Sequence, residues 1–269
     1  MKTVITPAYS FTKTLSDCFA KKDLLILLTK REIYLRYKYK TLGIFWGVLQ
    51  PLLLAGVISA SFGKVASPAI PTQHYFLSVF VGYTFWTYFS STIGKQSGSI
   101  VANRILIKNT AFPHILLPLS TLGVGCIDFS TCLLLALAIG LFGGLSVQFL
   151  PILLPCIVIM LITTVAIGLI FAAIYTRFTD TREMLSFLIT ILFFLTPVIY
   201  PVRLIPSQFH SFLYLNPMTG VIETARAALL EPSATPWSGL LISSITSIAL
   251  LILGIFIFET IDRSISDTI

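Results

Sequence analysis

Residues 36–51 read RYKYKTLGIFWGVLQP, and within them the chain changes solvent. Arg36, Lys38 and Lys40 resist hydrocarbon, since a cation at a helix centre costs roughly 2.5–3.5 kcal/mol on insertion scales. From Leu42 to Phe62 there is no charged residue. That stretch as a helix is about 31 Å long, which matches the hydrocarbon thickness of a bilayer. Gly43 and Gly47 form a small-xxx-small pair that lets another helix backbone come close. Gln50 and Pro51 add a polar side chain and a kink one turn further in. A simple anchor uses none of these features, so the stretch is expected to be one helix of a polytopic bundle.

Composition points the same way. The chain is 56% hydrophobic and 11% charged, about half the usual charged fraction of a globular domain. A net charge of +7 could suggest nucleic acid, but nine of the 18 Lys and Arg lie before Thr41, beside a membrane helix. Such a cluster faces anionic lipid and sets topology, and no nucleic-acid partner is expected. The first 22 residues lack the apolar core of a cleavable signal peptide. Cys18, Cys126, Cys132 and Cys156 have no metal-ligand spacing with one another or with His74, His114 or His210. They read as small buried hydrophobes, and no metal site is expected.

Six spans emerge in order, over 42–62, 75–93, 119–142, 151–175, 184–200 and 238–258, giving an all-α integral membrane protein. Residues 23–39 mix leucines with Lys30, Arg31 and Arg36 and suit an amphipathic helix in the interface plane, within a cytoplasmic N-terminal segment of residues 1–41. Residues 63–74 read as a loop. Residues 97–118 are too polar to cross and too apolar for a free loop, and fit a short surface helix. Residues 202–237 are long for a structureless connection; their apolar runs are too short to span and fit a re-entrant helical hairpin broken at Asn216-Pro217. With the N-terminus inside, 15 of the 18 cations face the cytoplasm and only Lys64, Arg203 and Arg226 face outward. That split is strong positive-inside evidence, with both termini cytoplasmic.

No phosphate-binding loop, H-E-x-x-H, G-x-S-x-G or paired-carboxylate site occurs, so no catalytic residue is expected. Four blocks carry a resemblance instead: KREIYLRYKYKTLGIFWGVLQP, SIVANRILIKNTAFPHILLPLS, YTRFTDTREMLSFLITILFFLTPVIYP and LNPMTGVIETARAALL. Together and in this order they resemble the permease subunits of ABC-2 type exporters, in the branch that exports O-antigen, teichoic acid and related lipid-linked polysaccharides. The resemblance covers nearly the whole chain. It implies a homodimer bound to two copies of a separate ABC ATPase subunit, which would hold the ATP and magnesium this chain does not. It also implies a coupling helix around Ile100, Arg104, Ile105, Leu106 and Lys108, and an outer gate around Tyr200, Pro201, Asn216, Pro217, Glu223 and Arg226. The turn FTDTRE departs from the family's usual R-D-hydrophobic-R pattern, so roles for Asp180 and Arg182 do not carry over.

Single residues keep two readings each. Asp128 is the one ionisable residue deep in a span, either functional or a hydrogen-bonding group of the bundle. Glu223 and Arg226, at i and i+3, form a local salt bridge or touch cargo. Arg104 and Lys108 set topology or meet the ATPase. Eight of the residues 75–89 are aromatic, and Tyr75, Phe76, Phe80, Tyr83 and Trp86 fall within an arc of roughly 140°. Those rings either stack on sugars along a glycan path or pack the core. The function expected is export of a lipid-linked polysaccharide across the cytoplasmic membrane. The alternatives are an ABC exporter of a small hydrophobic molecule, and a membrane enzyme or scaffold of glycan assembly.

Overall fold

The computed structural model describes residues 21–38, 43–66, 72–110, 112–143, 147–230 and 235–268. The expected loop centred on 67–71, the joint at 144–146 and the first twenty residues lie outside them. No β-strand occurs among the described residues. Among the described residues, four helical stretches are long and apolar enough to cross a membrane: Phe45–Gly63, Leu116–Phe142, Leu150–Arg177 and Trp237–Asp262. The chain is an all-helical, multi-pass membrane protein.

Helix α1 (Lys22–Tyr37) carries Asp23 in its first turn and Arg36 in its last, each complementing the helix dipole. It buries Leu28 against Leu116 and Leu117, while Ile26, Leu27 and Leu35 stay exposed. Helix α2 (Gly43–Ala66) follows, with Pro51 inside it. Helix α3 (Thr72–Ala102) is 31 residues long and touches α2 and most later helices. Val79, Phe80, Phe85 and Ile93 are buried along it, so it forms the spine of the bundle.

The expected surface helix over 97–118 is instead three pieces. Helix α3 continues past residue 93 because Ser97 and Ser99 donate to carbonyls of their own helix, at Gly94 (2.9 Å) and Gln96 (2.8 Å). Their polarity is absorbed internally, so it does not end the helix. The break comes at Asn103, which donates to Ser99 O (2.8 Å) and accepts from Arg31 of α1 (3.0 Å). Helices α4 (Arg104–Asn109) and α5 (Leu116–Ser120) then lead into α6 (Leu122–Phe142).

Helix α7 (Leu153–Arg177) packs along α3, and both it and α11 (Trp237–Thr268) close the far side of the core. Cys126 and Cys156 bond carbonyls one turn back on their own helices, and with Cys132 they are free thiols. Helix α8 (Thr181–Leu195) has 15 residues, about 22 Å, which is short of the hydrocarbon thickness. It stops before residue 200 because Pro197 and Pro201 cannot continue the ladder. Two short 3₁₀ turns and α9 (His210–Tyr214) lead to α10 (Pro217–Leu230). Pro217 sits at the first helical position and Asn216 Oδ1 accepts the Met218 amide at 3.1 Å, a standard start. Helix α10 is buried over nearly its whole surface, against α3, α7 and α11.

Contact between α7 and α11 depends on Gly254. A β-carbon there would lie 2.5 Å from the Ala166 carbonyl oxygen, whereas one at Gly56 would meet nothing within 4 Å. Gly254→Ala should therefore destabilise by about 1–3 kcal/mol through overpacking. Gly56→Ala should stabilise by roughly 0.5–1 kcal/mol, through helix propensity alone. Thermal unfolding of the two variants in detergent should move in opposite directions.

Candidate functional site

A groove of about 490 Å³ lies between α2, α3, α6 and α8, and Arg36 of α1 reaches it from one end. Asp128 sits at that end. Its carboxylate is ion-paired with Arg36 and accepts the Tyr37 phenol at 2.7 Å. Burial and the Asp128 carboxylate push the Tyr37 phenol up to about 12, so it remains a donor at physiological pH. Gly47 makes the arrangement possible, because a β-carbon there would lie 2.8 Å from Asp128 Oδ1. The small residue expected to admit a helix backbone admits a carboxylate.

One wall of the groove is α3. Tyr83 and Trp86 line it, facing Phe193 of α8, with ring centroids 6.2 and 5.7 Å from the Phe193 ring. Thr84, Thr87, Ser90 and Ser91 add hydroxyls to the same wall, and Gln50 and Thr190 add polar groups from α2 and α8. The Thr87 hydroxyl is buried and unpartnered among the described residues. The remaining aromatics of the expected arc lie elsewhere. Tyr75 and Phe80 are buried in the core, and Phe76 stacks on Phe80 at 6.1 Å. Tyr75 donates to Ile199 O at 3.0 Å. Phe193 escaped the sequence reading; its signal was the position of α8 relative to α3, which only the fold supplies.

The expected gate residues converge on the broken end of α8. Arg226 is buried and donates from Nε to Ser78 O (2.9 Å) and from Nη1 to Tyr200 O (3.2 Å) and Glu223 Oε1 (2.9 Å). It also bonds the carbonyls of Pro197 and Val198. Tyr200 curls back so that its phenol caps Phe194 O at 2.9 Å, and Asn216 donates to Thr196 Oγ1 at 2.7 Å. Pro201 lines a second, 240 Å³ cavity with Glu223 and Arg226. Gly82 of α3 has no side chain because a β-carbon would sit 2.6 Å from Arg226 Nη2.

Residues 23–230 match the family model described as ABC-2 type transporter. The chain belongs to the ABC-2 type transporter family. Among curated ABC-2 relatives, the O-antigen export system permease protein RfbA of Myxococcus xanthus is 32% identical over 259 residues, covering 94% of this chain and 98% of its own. A protein of the same name from Klebsiella pneumoniae is 29% identical, covering 88% and 91%. The polysialic acid transport protein KpsM of Escherichia coli is 25% identical, covering 86% and 90%.

In this ABC-2 chain the residues expected to couple are divided by the fold. Ile100 is buried beside Leu169 and Phe258, in the body of the bundle. Leu106 packs toward α1 and α5. Arg104, Ile105 and Lys108 are exposed on α4, Ile105 at 78%. Among the described residues, no group of three His, Cys, Asp or Glu could hold a metal ion.

The Arg226 geometry predicts its mutants. Arg226→Leu leaves several buried carbonyls without a donor and Glu223 without its counter-charge, and should cost about 3–5 kcal/mol. Arg226→Lys should fall between, since a point charge cannot reach acceptors spread around a planar fork. Thermal unfolding in detergent checks the order. A fully stable Arg226→Leu with export lost would instead give Arg226 a direct contact with cargo.

Proposed function

We propose that the chain is the permease subunit of an ABC exporter that moves a lipid-linked polysaccharide across the inner membrane, with the groove between α3 and α8 on the glycan path. Its carrying observation is the lining: Tyr83, Trp86 and Phe193 rings set among the hydroxyls of Thr84, Thr87, Ser90 and Ser91. A pyranose has apolar C–H faces and a hydroxylated edge, so it suits rings and hydrogen-bonding groups together. A small hydrophobic cargo has no use for the hydroxyls. The names of the relatives, which concern O-antigen and polysialic acid, support the same class of cargo.

The proposed topology has six spans over 42–62, 75–93, 119–142, 151–175, 184–200 and 238–258, with both termini cytoplasmic and the 202–237 hairpin as an outer gate. Helix α3 can cross despite its hydroxyls, because many of them bond carbonyls of their own helix. Two copies of the chain would assemble with two copies of an ABC ATPase that binds ATP and magnesium. The chain has no such site of its own in this reading and is not an enzyme. Exposed Ile105, Arg104 and Lys108 on α4 would meet that ATPase.

Replacing Tyr83 and Trp86 by Leu keeps the surface apolar and removes the ring faces. Stacking worth about 0.5–1.5 kcal/mol per pair predicts a partial defect, up to roughly tenfold per ring. Surface glycan normalised to assembled transporter should fall while lipid-linked glycan builds up inside. Normal export per complex, with only protein yield reduced, would return both rings to core packing.

A further inference from the structure

Helix α11 is held at both ends by segments that lie outside the long spans. At its outer end in the proposed topology, Ser243 donates to Tyr214 O of α9 at 3.1 Å. A β-carbon at Gly220 of α10 would collide with Ser243, and one at Gly239 would collide with Tyr214. The helix and the 202–237 hairpin therefore meet without slack. At its cytoplasmic end Asp262 pairs with His114, whose Nδ1 lies 2.7 Å from Asp262 Oδ1 across 148 residues of sequence. A carboxylate offers only acceptors, so the imidazole donates.

His114 belongs to the connection between α4 and α5. The Leu116 and Leu117 amides donate to Pro113 O (3.1 Å) and His114 O (3.0 Å), a turn that fixes the backbone there. The Phe112 ring stands at right angles to the imidazole, with centroids 5.9 Å apart. Ile107 of α4 packs on both sides of this connection, with Leu116 and Leu117 on one and Ile115 and Phe258 on the other.

Between its two ends α11 presents one stripe. Ser243, Ser247, Leu251, Ile255, Phe258 and Asp262 are spaced by three or four, which keeps them on one helical face. Ser247 shares a 2.8 Å hydrogen bond with Thr163 of α7, and Gly254 admits the Ala166 backbone beside that stripe. From Ser243 to Asp262 the helix runs about 29 Å, close to the hydrocarbon thickness. It has the form of a packed rod from one membrane face to the other.

We propose that His114 and Asp262 are positioning residues for export: they tie the α4–α5 connection to α11, so that displacement of α4 by the ATPase reaches the outer hairpin along that rod. A partly exposed ion pair adds little to stability, and the apolar cluster around Phe258 already holds α11 in place. The pair supplies direction, because a hydrogen bond fixes an orientation that apolar contact leaves free. The proposal rests on the reading of α4 as the face that meets the ATPase.

The test uses the permease assembled with its ATPase. ATP hydrolysis is read on the purified complex, and surface glycan per assembled complex is read in cells. His114→Ala and Asp262→Ala should each leave copurification and hydrolysis within about twofold of wild type. Export per complex should fall about threefold to tenfold, the net effect of one hydrogen bond on an equilibrium. The double variant should fall no further than either single one, because the two residues act as a unit. His114→Asn keeps an N–H donor near the Nδ1 position and should recover most of the loss, whereas His114→Leu should not. Lower yield or earlier thermal unfolding with normal export per complex would make the pair merely structural and overturn the proposal. Additive losses in the double variant overturn it too, as does an Asn variant no better than Leu. Ile105→Asp, run alongside, separates the tie from the reading beneath it. If that variant copurifies with the ATPase normally, α4 is not the ATPase face and both fall. If it loses the ATPase while Asp262→Ala exports normally, the α4 reading stands and the tie alone falls.

Discussion

A helix that ends inside a packed bundle leaves buried carbonyls to be satisfied, and α8 ends in that way. Thr196 and Val198 beyond its last turn are fully buried. Each buried carbonyl left unsatisfied there would cost about 1–3 kcal/mol. The backbone from Leu192 to Tyr200 avoids the cost with local side chains and with two partners from elsewhere in the chain. Thr196 returns to Leu192, and Tyr200 covers Phe194 and Leu195. Tyr75 covers Ile199, and Arg226 covers Pro197, Val198 and Tyr200. One guanidinium from α10 therefore satisfies carbonyls that the prolines leave behind where α8 stops. It also locks α10 against α3 through Ser78, and demands glycine at position 82. The placement of α8, and with it the groove wall, follows from that clamp.

At the end of the groove that α1 reaches, a half-buried charge is handled differently. Asp128 projects from α6 toward α2, and only Gly47 leaves it room. Arg36 and Tyr37 arrive from α1, so the carboxylate is neutralised by a helix that packs outside the long spans. Between the two charged knots the groove carries rings and hydroxyls but no unpaired charge. The sugar rings of the proposed cargo would slide over such a lining without a deep binding minimum, which is what a conduit needs.

Local pattern carried much of this into the sequence. The uncharged run after Lys40, the apolar stretches of α6, α7 and α11, and the proline-marked end of α8 were legible because lipid enforces length and composition. The Glu223–Arg226 pair was legible because i, i+3 neighbours on a helix must meet. Other features depend on distance in the chain. Arg36 and Asp128 are 92 residues apart, and Arg226 and Ser78 are 148 apart; each residue stood out alone, but its partner did not. The aromatic arc on α3 was visible as a stripe, yet periodicity cannot tell which part of a stripe meets a neighbour. Its first turns pack into the core and only Tyr83 and Trp86 reach the groove. Phe193 was hidden in an apolar run, where nothing in the sequence shows which helix it faces. Residues 97–102 were expected in a separate surface helix, whereas Ser97 and Ser99 bond carbonyls of α3 and that helix runs on to Ala102.

The most direct measurement places a photoreactive phenylalanine analogue at single positions in cells that are exporting glycan. Phe193 lines the groove, whereas Phe76 stacks on Phe80 outside it. The account predicts a glycan-bearing adduct at position 193, formed only while the ATPase is active, and none at position 76. An adduct at position 76 with none at 193 would place the glycan elsewhere and contradict the account.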